Sequence, residues 1–209
     1  MYLVERDYSM IRLMYVWGFC QGRHIKVLAG FSGQRACDRR LKKLADSGLI
    51  ERKRMLYGVA GLYTATNEGK KLIGVPAKKE SIKLDQIHHD ITVLDTVIYC
   101  IGKYKLNPTE IISEKMLHSK DGFSVKKHRP DFVFHFDNNI YCSEIELTLK
   151  AKDRLQKNIK DNFLNYDKQL WFVPDSQNKI LKILNDNLIS YPNIEIYNVE
   201  EVNHYVKSN

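Results

Sequence analysis

The stretch HRPDFVFHFDNNIYCSEIELTLK, residues 128–150, decides how the second half of this 209-residue chain folds. Apolar side chains occupy every second position over 132–136, and this period of two predicts a β-strand with one buried face. Residues 137–139, Asp-Asn-Asn, predict a turn, because Asn and Asp tolerate turn conformations. Residues 140–149 predict a second strand, so the two runs form an antiparallel hairpin.

Charged side chains lie on this hairpin at positions that the strand period brings together. Glu144, Glu146 and Lys150 share one face of the second strand, because successive side chains point to opposite faces. Asp131 begins the first strand directly after Pro130, and the turn folds it toward the same region. A polar row on one strand is also typical of a solvated sheet face, and it is the addition of Asp131 that favours a functional site.

Three carboxylates beside an ammonium group suit the hydrolysis of a phosphodiester. That reaction needs a divalent ion to neutralise charge on the phosphoryl oxygens, and a bound water that a base or an ammonium group orients. Mg²⁺ prefers hard oxygen ligands and keeps several waters. We therefore predict that Asp131, Glu144 and Glu146 hold Mg²⁺ or Mn²⁺, and that Lys150 positions water or offsets phosphate charge.

The positive charge of the chain, +8 in total, is concentrated in its first third. Residues 1–79 contain 16 Lys and Arg against 6 Asp and Glu, whereas the remaining residues contain 17 against 19. Within this third, residues 20–54 alone hold ten basic and three acidic side chains. Clustered Lys and Arg predict a nucleic-acid partner, because charge that served only solubility would be evenly spread.

The residues before the middle of the chain match the plan of a winged helix-turn-helix domain. We expect three helices, over 8–19 with Asp7 as its N-cap, over 22–29 and over 33–47. A hairpin of 49–54 and 62–66 should follow, and 67–73 should form a closing helical turn. The segments SGLIERKR and YTATNEGKKLIG closely resemble the end of many bacterial winged-helix domains.

The basic side chains of the third helix and of the hairpin are the predicted DNA contacts. On the helix, Arg35, Arg39 and Lys42 or Lys43 share one face. This helix would enter the major groove while the hairpin flanks the phosphates. The predicted DNA-binding residues are Arg35, Arg39, Arg40, Lys42, Lys43, Arg52, Lys53 and Arg54. The alternative is a winged helix that binds protein and whose charges are merely solvated.

Residues 74–81 interrupt the apolar periodicity with Gly, Pro and charge, and they are the predicted linker. We expect a winged helix over 1–75 and an α/β (α+β) domain with a mixed sheet over 80–209. Beyond the hairpin, this domain should contain helices over 82–99, 152–168 and 180–188, strands over 110–114, 171–173 and 194–199, and a polar loop over 118–128. Exposed basic side chains on 152–168 predict a second stretch of DNA contact.

Composition and cysteine usage indicate an ordinary globular chain. Hydrophobic residues at 44% and charged residues at 28% exclude disordered and collagen-like classes. No apolar run approaches the ~18 residues of a membrane span, and the first residues carry no signal-peptide pattern. The four cysteines have no CxxC spacing, so we expect free thiols in a reducing cytoplasm and no zinc site.

The hairpin motif resembles that of the PD-(D/E)xK nuclease superfamily, which is Pro-Asp, a hairpin and then acid-x-Lys. Pro130-Asp131 and Glu144-Ile145 match, whereas Glu146 takes the position of the Lys and Lys150 follows four residues later. More specifically, the chain is similar to the MOB-C class of conjugative relaxases, of the replication-relaxation type. These join a winged helix to a restriction-endonuclease-like domain that carries an Asp…Glu-x-Glu-x-x-x-Lys pattern.

The resemblance implies a Mg²⁺- or Mn²⁺-dependent relaxase of the bacterial cytoplasm. It would nick one DNA strand at an origin of transfer or replication, by hydrolysis or transesterification, with relaxosome accessory proteins as partners. Further site candidates are His88 beside His89 and Asp90, Glu114, and Tyr166, since other relaxases form a phosphotyrosine link. Each also has a plainer interpretation, namely a helix-surface histidine, a strand-end charge, and a tyrosine of the core or its rim.

Two other functions stay open. A non-catalytic origin-binding or regulatory protein with a degenerate nuclease fold is favoured by the missing Lys at position 146. A restriction-type endonuclease would cut both strands of a plasmid. Metal dependence distinguishes a nickase from the first alternative, and the product distinguishes it from the second.

Overall fold

A computed structural model describes residues 2–77, 81–122, 128–149 and 151–208. The chain divides into two compact units, Met1–Leu94 and Asp95–Asn209. It is a mixed α/β protein with a three-stranded antiparallel sheet in the first unit and a five-stranded mixed sheet in the second. The domain bounds 1–75 and 80–209 stay a prediction.

The first unit consists of short helices and the small sheet. Its elements are α1 (Glu5–Val16), β1 (Cys20–Gln21), α2 (Gly22–Leu28), α3 (Gln34–Asp46), β2 (Ile50–Lys53), β3 (Leu62–Ala65) and α4 (Asn67–Leu72). The strands lie in the order β1-β3-β2. The predicted helices and hairpin are present, whereas β1 is an addition, because two residues cannot show a period. Its core contains Met10, Ile11, Met14, Ile25, Leu41 and Leu44.

The start of α1 differs from the prediction. Asp7 is not the N-cap of a helix over 8–19 but lies in the first turn of α1, which begins at Glu5 and ends at Val16. There the Asp7 carboxylate accepts the Val4 N–H at 2.8 Å. A carboxylate in the first turn satisfies an N–H that the helix leaves without a partner, and it interacts favourably with the helix dipole.

The second unit is built around the mixed sheet. Its elements after α5 (Ile87–Tyr104), which begins in the first unit, are β4 (Ile112–Ser113), α6 (Glu114–Asp121), β5 (Phe132–Phe136), β6 (Asn139–Ile145), α7 (Lys152–Asn165), β7 (Lys168–Val173), α8 (Asn178–Asn187), β8 (Ile194–Asn198) and α9 (Val199–Ser208). The strand order is β4-β5-β6-β7-β8. The pairs β4–β5 and β5–β6 are antiparallel, and β6–β7 and β7–β8 are parallel.

Both faces of this sheet are covered. On one face, the ring of Tyr99 from α5 meets Phe172 with 6.1 Å between centroids, and Tyr104 meets Phe134 at 5.2 Å. On the other face, Trp171 of β7 is fully buried in a cluster with apolar residues of α7 and α8. Glu144 of β6 is in parallel register with Trp171 and therefore lies on the α7 face.

Several details of the predicted helices and strands are wrong. The helix predicted over 82–99 begins only at Ile87 and continues to Tyr104, because the residues before it form a 3₁₀ turn (Leu84–Gln86) in which Leu84 is 57% exposed. Helix α6 occupies 114–121, because Ser113 Oγ accepts the Met116 N–H at 3.3 Å and caps it. None of its residues is buried, so no apolar period reveals it. Strand β6 ends at Ile145 rather than at position 149.

The state of the cysteines and the apolar character of the helices can both be compared with the sequence analysis. All four cysteines are buried free thiols, as expected. Within the described ranges, no helix combines the length and the apolar character needed to cross a membrane.

Candidate functional site

The hairpin of β5 and β6 brings Asp131, which directly precedes β5, beside the strand that carries Glu144. Phe132 pairs with Ser143 in antiparallel register, and the Asp131 N–H donates to the Ser143 carbonyl at 3.1 Å. Asp131 Oδ2 also accepts the Ile145 N–H at 2.8 Å. Asp131 therefore contacts the residue that follows Glu144, and the charges of both carboxylates act on His128.

Glu144 is the centre of a buried polar network. It is 6% exposed, and its Oε1 atom accepts hydrogen bonds from His128 Nε2 at 2.6 Å and from Asn162 Nδ2 at 2.7 Å. Both donors come from outside the two strands, since His128 precedes β5 and Asn162 lies on α7. Burying a carboxylate without hydrogen-bond donors is strongly unfavourable. The hydrogen bonds from His128 and Asn162 therefore stabilise the buried side chain of Glu144.

His128 and Glu144 form an ion pair. Burial lowers the pKa of His128, but the hydrogen bond and charge of Glu144, with the charges of Asp161 and Asp131, outweigh burial and raise that pKa above its usual value. The imidazolium form is thereby favoured.

The Asn162 side chain leaves one buried atom without a donor. Asn162 is 1% exposed, and its Oδ1 has no hydrogen-bond partner among the described residues. A buried amide oxygen of this kind is stabilised by a water molecule or a cation. It lies on the same side chain whose Nδ2 holds Glu144.

Glu146 and Lys150 lie beyond the end of β6. The Glu146 N–H still donates to the Phe172 carbonyl at 3.0 Å, but the chain bends at 147–148. The period of two that placed Glu146 and Lys150 on the face of Glu144 therefore stops at Ile145. Lys150 itself lies outside the described residues.

Glu114 and His88, two further site candidates, lie in different surroundings. The Glu114 N–H donates to the Asp131 carbonyl at 3.0 Å, but the exposed Glu114 carboxylate lies 3.5 Å from His118 Nε2 on the same helix. His88 is exposed at the start of α5, within the first unit. Glu114 thus adjoins the site through its backbone, whereas the described contacts of its carboxylate are with α6.

Tyr166 follows the last residue of α7 instead of lying inside a helix. Its N–H donates to the Asn162 carbonyl at 2.9 Å. Burial, with the nearby charges of Glu144 and Asp121, raises the pKa of the Tyr166 phenol to about 12. At neutral pH the phenol is therefore protonated, which is the less nucleophilic form.

The acidic site consists of two carboxylates and an amide. In the part of the chain that the structure describes, no three or more His, Cys, Asp or Glu side chains are grouped so that they could hold a metal ion. The oxygen-bearing side chains that the structure brings together are Asp131, Glu144 and Asn162. Mg²⁺ in proteins is commonly held by one or two carboxylates and several waters, so this donor set suits it.

A second candidate site is the basic face of α3. Arg35, Arg39, Lys42 and Lys43 are exposed, and among the described residues none of them has an ion-pair partner. The opposite side of α3 is buried through Leu41 and Leu44. The helix is therefore held by its apolar side and presents its cations to solvent.

The other predicted DNA contacts differ in their surroundings. Arg40 donates from Nε to Asp7 Oδ1 at 2.5 Å and from Nη2 to Asp7 Oδ2, and Asp7 is fully buried. Lys53 pairs with Glu51 at 3.0 Å, Arg52 lies 5.8 Å from the Tyr63 ring centroid, and Arg54 is exposed. Arg40 thus holds α1 and α3 together, whereas Arg52 and Arg54 extend the basic surface onto the hairpin.

The second stretch of predicted DNA contact is also solvent-exposed. The exposed basic residues of α7 are Lys152, Arg154, Lys157 and Lys160. The buried side of the same helix carries Leu155, Ile159 and Asn162. One face of α7 therefore builds the acidic network while another carries positive charge.

Sequence reasoning missed the two partners of Glu144. Asn162 falls on the buried stripe of α7, at helical spacing from Leu155 and Ile159, and a polar residue on such a stripe is the signal that could have found it. His128 stands in the quoted HRPD run but carries no local pattern.

No protein-family model, no curated protein and no solved structure matches the chain.

Proposed function

We propose that this protein binds DNA through its first unit. The observation that carries the proposal is the exposed face of α3, where Arg35, Arg39 and Lys42 stand without ion-pair partners among the described residues. Neighbouring cations without ion-pair partners repel one another, and a bound anion removes this repulsion. The DNA backbone is an anion of high charge density and suits such a surface.

The arrangement around α3 supports a winged-helix mode of binding. Three helices precede the β2–β3 hairpin, and the hairpin adds Arg52 and Arg54 to the basic surface. In this mode α3 enters the major groove and the hairpin contacts phosphates. Arg40 is left out of the proposed contact, because Asp7 engages its guanidinium.

For the second unit we propose metal-dependent nicking of one DNA strand, at an origin of transfer or replication. Its support is the proximity of Asp131, just before β5, to Glu144 near the end of β6, together with the resemblance of the motif to the relaxases. Asp131, Glu144 and the Oδ1 atom of Asn162 would hold Mg²⁺ or Mn²⁺. Such an ion supplies charge neutralisation at the phosphate and acidifies a bound water.

A second candidate function is a non-catalytic origin-binding or regulatory protein. The observation that favours it is the His128–Glu144 ion pair, which engages one oxygen of a carboxylate that the nickase needs for a cation. In that case the second unit serves as a platform.

DNA binding is tested by salt titration of a labelled duplex. Each phosphate contact contributes about 0.9 to the slope of log K against log salt. Replacing Arg35 and Arg39 together with Ala should therefore flatten the slope by about 1.8. The matched control is Lys179→Ala with Lys182→Ala, which removes two exposed charges from α8. Equal slopes in the two double variants would refute the proposed contact.

Nicking is tested on supercoiled plasmid with Mn²⁺. Asp131→Asn and Glu144→Gln should each reduce the nicking rate about a hundredfold or more, a loss typical of removing a charged transition-state contact. Asn162→Ala, which removes the third proposed ligand, should reduce it as well. Asp186→Asn, an exposed acid of α8, is the control. DNA binding should survive all four changes.

The plasmid product separates the candidate functions. Relaxed circles that require Mn²⁺ support the nickase, and linear plasmid indicates a double-strand endonuclease. Binding of the plasmid without metal-dependent cleavage supports the regulatory protein.

A further inference from the structure

A groove of 610 Å³ lies between the start of α1 and α3, within the first unit. Its charged lining residues are Arg6, Asp7, Arg39, Arg40, Lys42, Lys43 and Asp46. It adjoins a second hollow of 540 Å³ that shares Lys43 and Asp46 with it and reaches Ser47. The groove therefore follows α3 along the side that faces α1.

The charges of this groove are strongly unbalanced. Arg40 also borders it, but that guanidinium and the Asp7 carboxylate engage each other. Arg6 also interacts electrostatically with Asp7. Arg39, Lys42 and Lys43 add three more cations to the lining, and Asp46 is its one further carboxylate. Among the described residues, none of these four cations lies within ion-pair distance of an acid. The groove is thus a site of positive potential that an anionic ligand would stabilise.

Arg6 is held in place on the wall opposite α3. Its guanidinium carbon lies 4.6 Å from the centroid of the Phe31 ring, which is a cation–π contact. A side chain that is already oriented loses less conformational freedom when it binds. Arg6 is exposed, so the contact leaves the charge accessible.

We propose that this groove binds phosphates of the nucleic-acid backbone, so that the DNA contact extends from α3 across the groove to Arg6. The inference rests on the proposed DNA binding and adds a second row of phosphate contacts to it. A nucleic acid is favoured over an acidic protein because Arg39 and Lys42 belong both to the groove and to the exposed face of α3. A single polyanion can therefore occupy both surfaces without a break.

The experiment compares two arginines of the same helix. Arg6→Gln removes a charge from the groove, and Arg12→Gln removes an equal charge from an exposed position of α1 that does not line it. The probe is a fluorescein-labelled duplex of arbitrary sequence, since phosphate contacts are independent of sequence, and the salt range is about 50 to 200 mM. Fluorescence anisotropy gives the binding constant of the full chain at each salt concentration.

We expect Arg6→Gln to flatten the slope of log K against log salt by about 0.9 and Arg12→Gln to leave it unchanged. Arg6→Lys keeps the charge and should restore the slope. Asp46→Asn removes the opposing carboxylate and should strengthen binding.

The outcomes separate this inference from the proposed function. If the wild-type chain shows no salt-dependent binding, both fall. If it binds and the slopes of Arg6→Gln and Arg12→Gln are equal, DNA binding stands and the groove contact is refuted. Loss of binding in Arg6→Gln that Arg6→Lys does not restore also refutes a phosphate contact.

Discussion

The ion pair between Asp7 and Arg40 should be a main source of stability in the first unit. Asp7 is fully buried and accepts two hydrogen bonds from Arg40 and one from the Val4 N–H, whereas the Arg40 side chain is 21% exposed. Arg40→Ala therefore leaves a buried carboxylate without its cation. Asp7→Asn leaves a guanidinium that can reach water, so we expect it to be the milder change.

The magnitude follows from the burial of each partner. Removing one partner of a buried pair costs about 3–5 kcal/mol, and the partial exposure of Arg40 places Arg40→Ala near about 3 kcal/mol. Asp7→Asn loses charge-assisted hydrogen bonds, which contribute about 1.5–3 kcal/mol, and we expect the lower end. Arg39→Ala, its exposed neighbour on α3, is the control and should lie within about 0.5 kcal/mol of wild type.

The effect of Arg40→Ala should depend on pH. Burial acts to raise the pKa of Asp7, but the Arg40 hydrogen bonds, the Val4 N–H and nearby charge outweigh it and lower that pKa. A lowered pKa in the folded state gives stability that is present above the unfolded value of about 3.9 and is lost as pH falls through the folded value. Without Arg40, burial raises the pKa of Asp7. As pH falls, Asp7 of the variant is therefore protonated before Asp7 of the wild type, and its buried negative charge is removed. The difference from wild type should shrink in acid.

The assay follows each unit separately. The chain has two tryptophans, Trp17 in the first unit and Trp171 in the second, so 5-fluorotryptophan labelling gives one ¹⁹F resonance for each. Urea unfolding followed on the Trp17 resonance, at neutral pH and near pH 4, gives the two free energies. The reasoning is refuted if Arg40→Ala costs no more than Arg39→Ala, or if its cost does not diminish in acid.

Three further predictions concern other parts of the chain. His128→Ala leaves Glu144 with one of its two described donors and should destabilise the second unit by about 1–3 kcal/mol, measured on the Trp171 resonance, whereas His128→Gln, which retains a donor, should cost less. Gly69→Ala would place a Cβ atom 2.1 Å from the Leu49 carbonyl, and the resulting shift of α4 should cost the first unit about 1–3 kcal/mol, measured on the Trp17 resonance. All four cysteines are buried, and burial raises the pKa of Cys37 to about 11. Native protein should therefore react slowly with a thiol reagent and urea-unfolded protein rapidly, and rapid labelling of the native chain would contradict this burial.

Local patterns in the sequence predict most of the elements. The alternation over 132–136 predicts β5, and the Asp-Asn-Asn turn predicts that β6 follows as its antiparallel partner, with Asp131 folded toward the region of Glu144. The segment 33–47 predicts α3 with Leu41 and Leu44 inside. These features depend on neighbours along the chain, and a period of two or 3.6 residues records them directly.

Elements without such a period escape prediction. Helix α6 has no buried residue, β1 has two residues, and β6 ends four positions before its apolar pattern does. Residue propensity does not predict where β6 ends, because the strand ends where the chain turns toward α7. The direction of α7 is set by its packing on the sheet.

The sequence by itself determined the basic face of α3 and the β5–β6 hairpin. Only the tertiary structure decided which charges are engaged and which remain exposed. Arg40 meets Asp7 across 33 positions of sequence, and Asn162 meets Glu144 across 18. The packing of separate elements brings such partners together. Each partner then supplies the hydrogen bonds or the charge that the other needs once it is buried. A pattern read along the chain does not contain that information, because burial is a property of the assembled core.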